Sequence, residues 1–112
     1  MENGIYRLQL SSEGHFVEAM AVIRDNVING GGGGYYCQGI ISQEEKVLAG
    51  RVKIKKWDHN AHHALGLFKE VSMAVTGRYD PEKRSFDFQG QVNGHHVIRV
   101  QANGQWIASI DT

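Results

Sequence analysis

Residues 27–42 read VINGGGGGYYCQGIIS, with five consecutive glycines, Gly30–Gly34, ahead of two tyrosines and the lone Cys37. Such a run can cradle a phosphate, link two domains or turn a sheet. A phosphate loop of the P-loop type needs Lys followed by Ser or Thr after the glycines, then a helix whose amides face the anion. Here the glycines lead into Tyr35-Tyr36-Cys37. The dinucleotide fingerprint fails for the same reason, since no helix follows within a βαβ unit. A linker has nothing to connect, because strand pattern flanks the glycines on both sides. What remains is a backbone corner, a wide turn or bulge where chains approach closely.

The flanking pattern is period two. Apolar residues alternate in Val52-Ile54, Val71-Met73-Val75, Phe86-Phe88 and Ile98-Val100-Ala102, which is the repeat of a strand rather than a helix. Turn signals separate the runs at Glu13-Gly14, Asp25-Asn26, Asp80-Pro81, Asn93-Gly94 and Asn103-Gly104. Gly and Asn tolerate positive φ, and Pro presets φ for a turn. The spacing predicts eight strands, Gly4–Leu10, Phe16–Arg24, Val27–Gly30, Tyr35–Ser42, Val47–Trp57, Glu70–Tyr79, Ser85–Val92 and His96–Ala102, with Gln105–Ile110 as a candidate ninth. The two Asn-Gly pairs predict a closing antiparallel meander. Short strands joined by tight turns suggest an all-β, up-and-down, eight-stranded antiparallel barrel, which leaves no free edge. Asp58–Lys69, DHNAHHALGLFK, lacks the strand period and reads as a loop with room for one helical turn.

Length and composition narrow the function. A chain of 112 residues fits one domain, residues 1–112, because a second core would lack apolar material. Lys plus Arg equal Asp plus Glu at 12 each, so no long-range field draws the chain to nucleic acid or an anionic membrane. The longest apolar run, Ala19–Ile23, is far short of a bilayer span. One cysteine and a start without basic and apolar stretches point to the cytoplasm. No nucleophile-elbow pattern surrounds Ser11, Ser12, Ser42, Ser72, Ser85 or Ser109, and no carboxylate pair stands out for acid and base work. The expectation is a chain without a catalytic set and without a cofactor. Cys37 reads as a buried structural thiol.

Three constellations have a chemistry to weigh. His59, His62 and His63 beside Asp58 are ligand types that suit zinc, copper or nickel; no further ligand completes the set, so a solvated loop is expected. Arg51, Lys53 and Lys55 alternate in phase with Trp57, a stripe that can track a phosphate backbone. Zero net charge and no further aromatic on that face favour a solvated stripe, open to an acidic partner or a second subunit. The inward set is read as Tyr6, Leu8, Phe16, Met20, Val22, Tyr36, Val52, Ile54, Val71, Met73, Phe86, Phe88, Ile98 and Trp106. Of these, Tyr6, Leu8, Tyr36, Val52, Ile54, Met73, Phe86, Phe88 and Trp106 would touch a small apolar ligand if the barrel held one.

The order NGIYRLQL (3–10), AVIRDNVINGG (21–31) and GYYCQG (34–39) resembles the GrlR family, small bacterial repressors of type III secretion genes. The resemblance implies a lipocalin-like barrel, dimeric, that binds a helix-turn-helix transcriptional activator and silences it. It also implies a partner-binding acidic motif, Glu-Asp-Glu-Asp in the family, whose matching positions are Gln43, Glu44, Glu45 and Lys46. Two carboxylates remain here, and Lys46 reverses one charge.

Overall fold

The computed structural model describes residues 1–61, 69–92 and 98–110. Eight strands follow one another: β1 (Gly4–Ser12), β2 (His15–Arg24), β3 (Val27–Gly32), β4 (Tyr35–Glu44), β5 (Val47–Lys56), β6 (Glu70–Asp80), β7 (Ser85–Val92) and β8 (Ile98–Ala108). Each pairs antiparallel with the next, and β8 returns to β1, closing the barrel. Full closure removes every sheet edge.

Tight turns set this order. Glu13-Gly14, Asp25-Asn26 and Gly33-Gly34 all have positive φ, the two-residue geometry whose twist matches the flanking strands. The glycine run is therefore two things. Gly30, Gly31 and Gly32 are ladder residues paired with Cys37, Tyr36 and Tyr35, and only Gly33-Gly34 turn. The corner is tighter than a wide turn. It is tight inside as well, since a Cβ on Gly30 would lie 2.6 Å from Ala21 Cβ and one on Gly32 3.1 Å from Ala19 Cβ.

That corner corrects the inward set. Ala19, Ala21 and Ile23 are buried, whereas Phe16 is 81% exposed and Met20 and Val22 also face solvent. β2 is apolar on both faces, so alternation alone fits either phase; the crowded β2–β3 corner admits only the small set inward. The same holds on β4, where Tyr35, Cys37 and Ile41 are buried and Tyr36 falls in the outward phase, half-buried. Tyr36 is thus outward in phase, while still lining the small cavity beside Tyr35 and Cys37. Tyr6, Leu8, Ile54, Val71, Met73, Phe86 and Phe88 are buried as expected, with Val52 and Trp106 partly so. Ile98 lies outside the described side chains.

The second correction is at Asn103-Gly104. This pair is no turn and Gln105–Ile110 is no ninth strand, because β8 runs unbroken through both, pairing Phe86 with Gly104 and Leu8 with Gly104. Gly104 is needed there because a Cβ would fall inside the Phe86 ring. A glycine in a strand marks a close approach as often as a turn. Residues 93–97, which hold the Asn93-Gly94 signal and His95-His96, lie outside the described residues. In the 58–69 segment a turn is closed by Ala61 N donating to Asp58 O at 3.1 Å, and residues 62–68 lie outside the description. Among the described residues there is no helix.

Candidate functional site

Gln43, Glu44, Glu45 and Lys46 form the β4–β5 turn, and all four are exposed. Glu44 pairs with Val47 at the ladder end, and Glu45 takes a left-handed φ of 56°. Gln43 holds the turn from behind. Its Nε2 donates to Glu45 O at 2.8 Å, and its Oε1 accepts from the Met1 nitrogen. Met1 N also donates to Asn26 Oδ1 at 3.1 Å, and Lys46 O accepts from Tyr79 N at 2.8 Å. Backbone and amide groups thus fix the turn while the Glu44 and Glu45 carboxylates stay in water. Two exposed carboxylates can attract and orient a basic partner surface.

Behind the turn, residues 1–3 cross this end of the barrel. Tyr6 Oη donates to Glu2 O at 2.6 Å, and Glu2 N donates to Tyr79 Oη at 3.3 Å. Asn3 Oδ1 accepts from Asp25 N at 2.9 Å, and Asn3 O accepts from Trp106 Nε1 at 3.1 Å. The Arg84 guanidinium lies 3.8 Å above the Trp106 ring. Burial, and then the neighbouring Tyr79, raises the Tyr6 phenol above its ordinary value. This strap gave no sequence signal beyond the polar ends of Tyr6, Tyr79 and Trp106, which need hydrogen-bond partners once buried.

The interior is aromatic and nearly filled. Tyr6 and Phe86 ring centroids are 5.4 Å apart, and Phe86 and Phe88 5.0 Å. Among the described residues small cavities lie inside, of about 50 Å³ around Leu8, Met73 and Phe88 and about 40 Å³ around Val17, Ala19 and Tyr35, with Leu10, Cys37 and Ile54 lining both. Pockets for drug-sized ligands run to about 300–1,000 Å³. Ser12 Oγ, the buried polar group at this end, donates to Arg99 O at 2.8 Å. Burial raises the Cys37 thiol above its usual range, partly offset by a hydrogen bond from the Gly30 backbone. A thiol so held is protonated at neutral pH and a poor nucleophile.

His59 is exposed in the Asp58–Ala61 turn, and His62 and His63 lie outside the described residues. Among the described residues no three metal-ligating side chains cluster. Arg51 and Lys55 face out, Lys53 is half-buried, and Trp57 is 64% exposed. No helix of the described residues is long and apolar enough to cross a membrane.

The barrel resembles a solved structure, a single-site mutant of the vaccine antigen transferrin binding protein B from Haemophilus parasuis Hp5. The TM-score is 0.50 at 10% identity, covering 94% of this chain and 26% of that one. The likeness is one of fold, and this chain spans about a quarter of that protein's length. A comparison with curated protein sequences finds no match. The family model described as the type III secretion system negative regulator GrlR matches residues 1–110. With all eight strands of the barrel inside that match, the chain belongs to the GrlR family of type III secretion negative regulators.

Proposed function

We propose that this chain represses type III secretion genes without catalysing a reaction, by binding a helix-turn-helix transcriptional activator in the cytoplasm through the Gln43–Lys46 turn. The observation that supports the reading is the turn itself: Glu44 and Glu45 are exposed while Gln43 hydrogen-bonds anchor the backbone beneath them. A pre-formed charged turn loses little conformational freedom on binding, so its charges act mainly on specificity and encounter rate. Family membership supplies the regulated system. A homodimer fits the outward apolar patch of Met20, Val22 and Val27, with half-buried Ile5 paired beside Val22. Exposed aliphatics gathered on one face suit an isologous contact.

The test is co-expression with the activator. The Glu44→Ala, Glu45→Ala double variant is expected to lose most of the co-purified activator and to derepress a secretion-gene reporter, with an unchanged melting temperature. Full repression by the double variant would remove the turn from the mechanism.

A further inference from the structure

The outward positions of β5 are Arg51, Lys53 and Lys55, spaced about 6.7 Å apart along the strand, and exposed Trp57 follows just beyond its end. With Tyr36 read as inward, this stripe had no second aromatic. The β4 phase supplies one, since outward-phased Tyr36 stands directly opposite Lys55. Gln38 stands opposite Lys53, and its Nε2 donates to Asn29 Oδ1 at 3.2 Å. Along the β6 side the opposing residues are Ala74, Ser72 and Glu70, so among the described ladder partners of the stripe the one carboxylate is Glu70, opposite Lys55. A groove of about 620 Å³ runs over Asn29, Gln38, Arg51, Lys53 and Ser72 and over the exposed Val27 and Ile40, ending short of Lys55, Tyr36 and Trp57. The chain is neutral as a whole, but the β5 row of this face is locally cationic, with exposed Ile40 opposite Arg51.

The geometry points to a binding site for single-stranded nucleic acid on the outer face of β4 and β5. Evenly spaced cations along an extended strand match a run of backbone phosphates, and exposed aromatics offer faces on which unpaired bases stack. Exposed Trp57 and the uncovered part of half-buried Tyr36 flank Lys55 in that role, while the Gln38 and Asn29 amides face the groove where base edges would lie. An acidic protein segment would satisfy the cations but leave the Trp57 ring without a stacking partner. A duplex would present no free base faces to it. The inference is independent of the Glu44–Glu45 turn.

Fluorescence titration of the whole protein with a 12-nucleotide oligouridylate tests it. Tryptophan quenching is expected, lost in Trp57→Ala with affinity falling about five- to a hundredfold, and retained in a Trp106→Phe background. Three phosphate contacts give a slope of log affinity against log salt of about −2. The triple variant Arg51→Gln, Lys53→Gln, Lys55→Gln should bind at least tenfold more weakly with an unaltered circular dichroism spectrum, and Lys53→Arg should bind as the parent does. The site is overturned by no binding at 50 mM salt, by equal affinity in the triple variant, by tighter binding of a duplex, or by polyglutamate competing as well as the oligonucleotide does.

Discussion

Gly104 lacks a side chain where the Phe86 ring occupies the space one would need. Overpacking of this kind costs about 2 kcal/mol, so Gly104→Ala is expected to lower the urea midpoint with an unchanged slope. An unchanged midpoint would mean the ring moves aside freely. Tyr6 and Cys37 make a pH prediction of definite sign. Burial raises both groups, so the folded state keeps protons that the unfolded state releases at high pH. Stability from these groups is full below the unfolded values, near 9 for the thiol and 10 for the phenol, and is lost as pH rises from there through the higher folded values. Unfolding free energy should therefore fall as pH rises above about 9, and Cys37→Ala should delay the onset. For the same reason the Cys37 thiol should resist alkylation at neutral pH until denaturant is added.

Strands and turns show how far a sequence carries. Alternation located all eight strands, and Asp25-Asn26 and Glu13-Gly14 marked two turns, because those signals depend on local φ preference alone. Phase was legible only where one face was polar, as on β5 and β6. On β2 both faces are apolar, and the choice is made by inward crowding against β3, a contact between segments that no single stretch records. Asn103-Gly104 misled because an Asn-Gly pair signals a turn only when nothing larger packs over it. The Gln43–Lys46 turn was legible from likeness of sequence, whereas its anchoring by residues 1–3 was not. Glu45 holds a left-handed φ, which costs a non-glycine residue roughly 1–2 kcal/mol, while glycine gives back about 0.5–1 through chain entropy. Glu45→Gly is expected to stabilise the barrel by about 0.5 kcal/mol while weakening activator binding, measured by chemical denaturation and by titration. A destabilised variant would show that the turn is not strained. Trp106→Phe should cost about 1 kcal/mol through loss of the bond to Asn3 O.

The barrel as a whole divides its outer surface. β6, β7, β8 and β1 turn out mostly polar residues, Thr76, Arg78, Asp87, Gln89, Gln101 and Asn103 with Arg7 and Gln9, Ile107 on β8 apart, while β2, β3 and β4 turn out Met20, Val22, Val27 and Ile40. A closed sheet offers no edge for strand addition, so every partner must meet side chains or turns. If the β2–β3 patch seats a second copy, Val22→Glu should convert the protein to a monomer by light scattering while leaving the fold intact; a dimer that survives the change would place the interface elsewhere. The central claim, that the activator is held at the Gln43–Lys46 turn of an otherwise closed barrel, is tested most directly by mapping amide chemical shifts as unlabelled activator is added to labelled protein. The account predicts the largest changes at Gln43, Glu44, Glu45 and Lys46, extending to Asn26 and Tyr79. Changes confined to the interior around Leu8, Met73 and Phe88, with the turn silent, would contradict it.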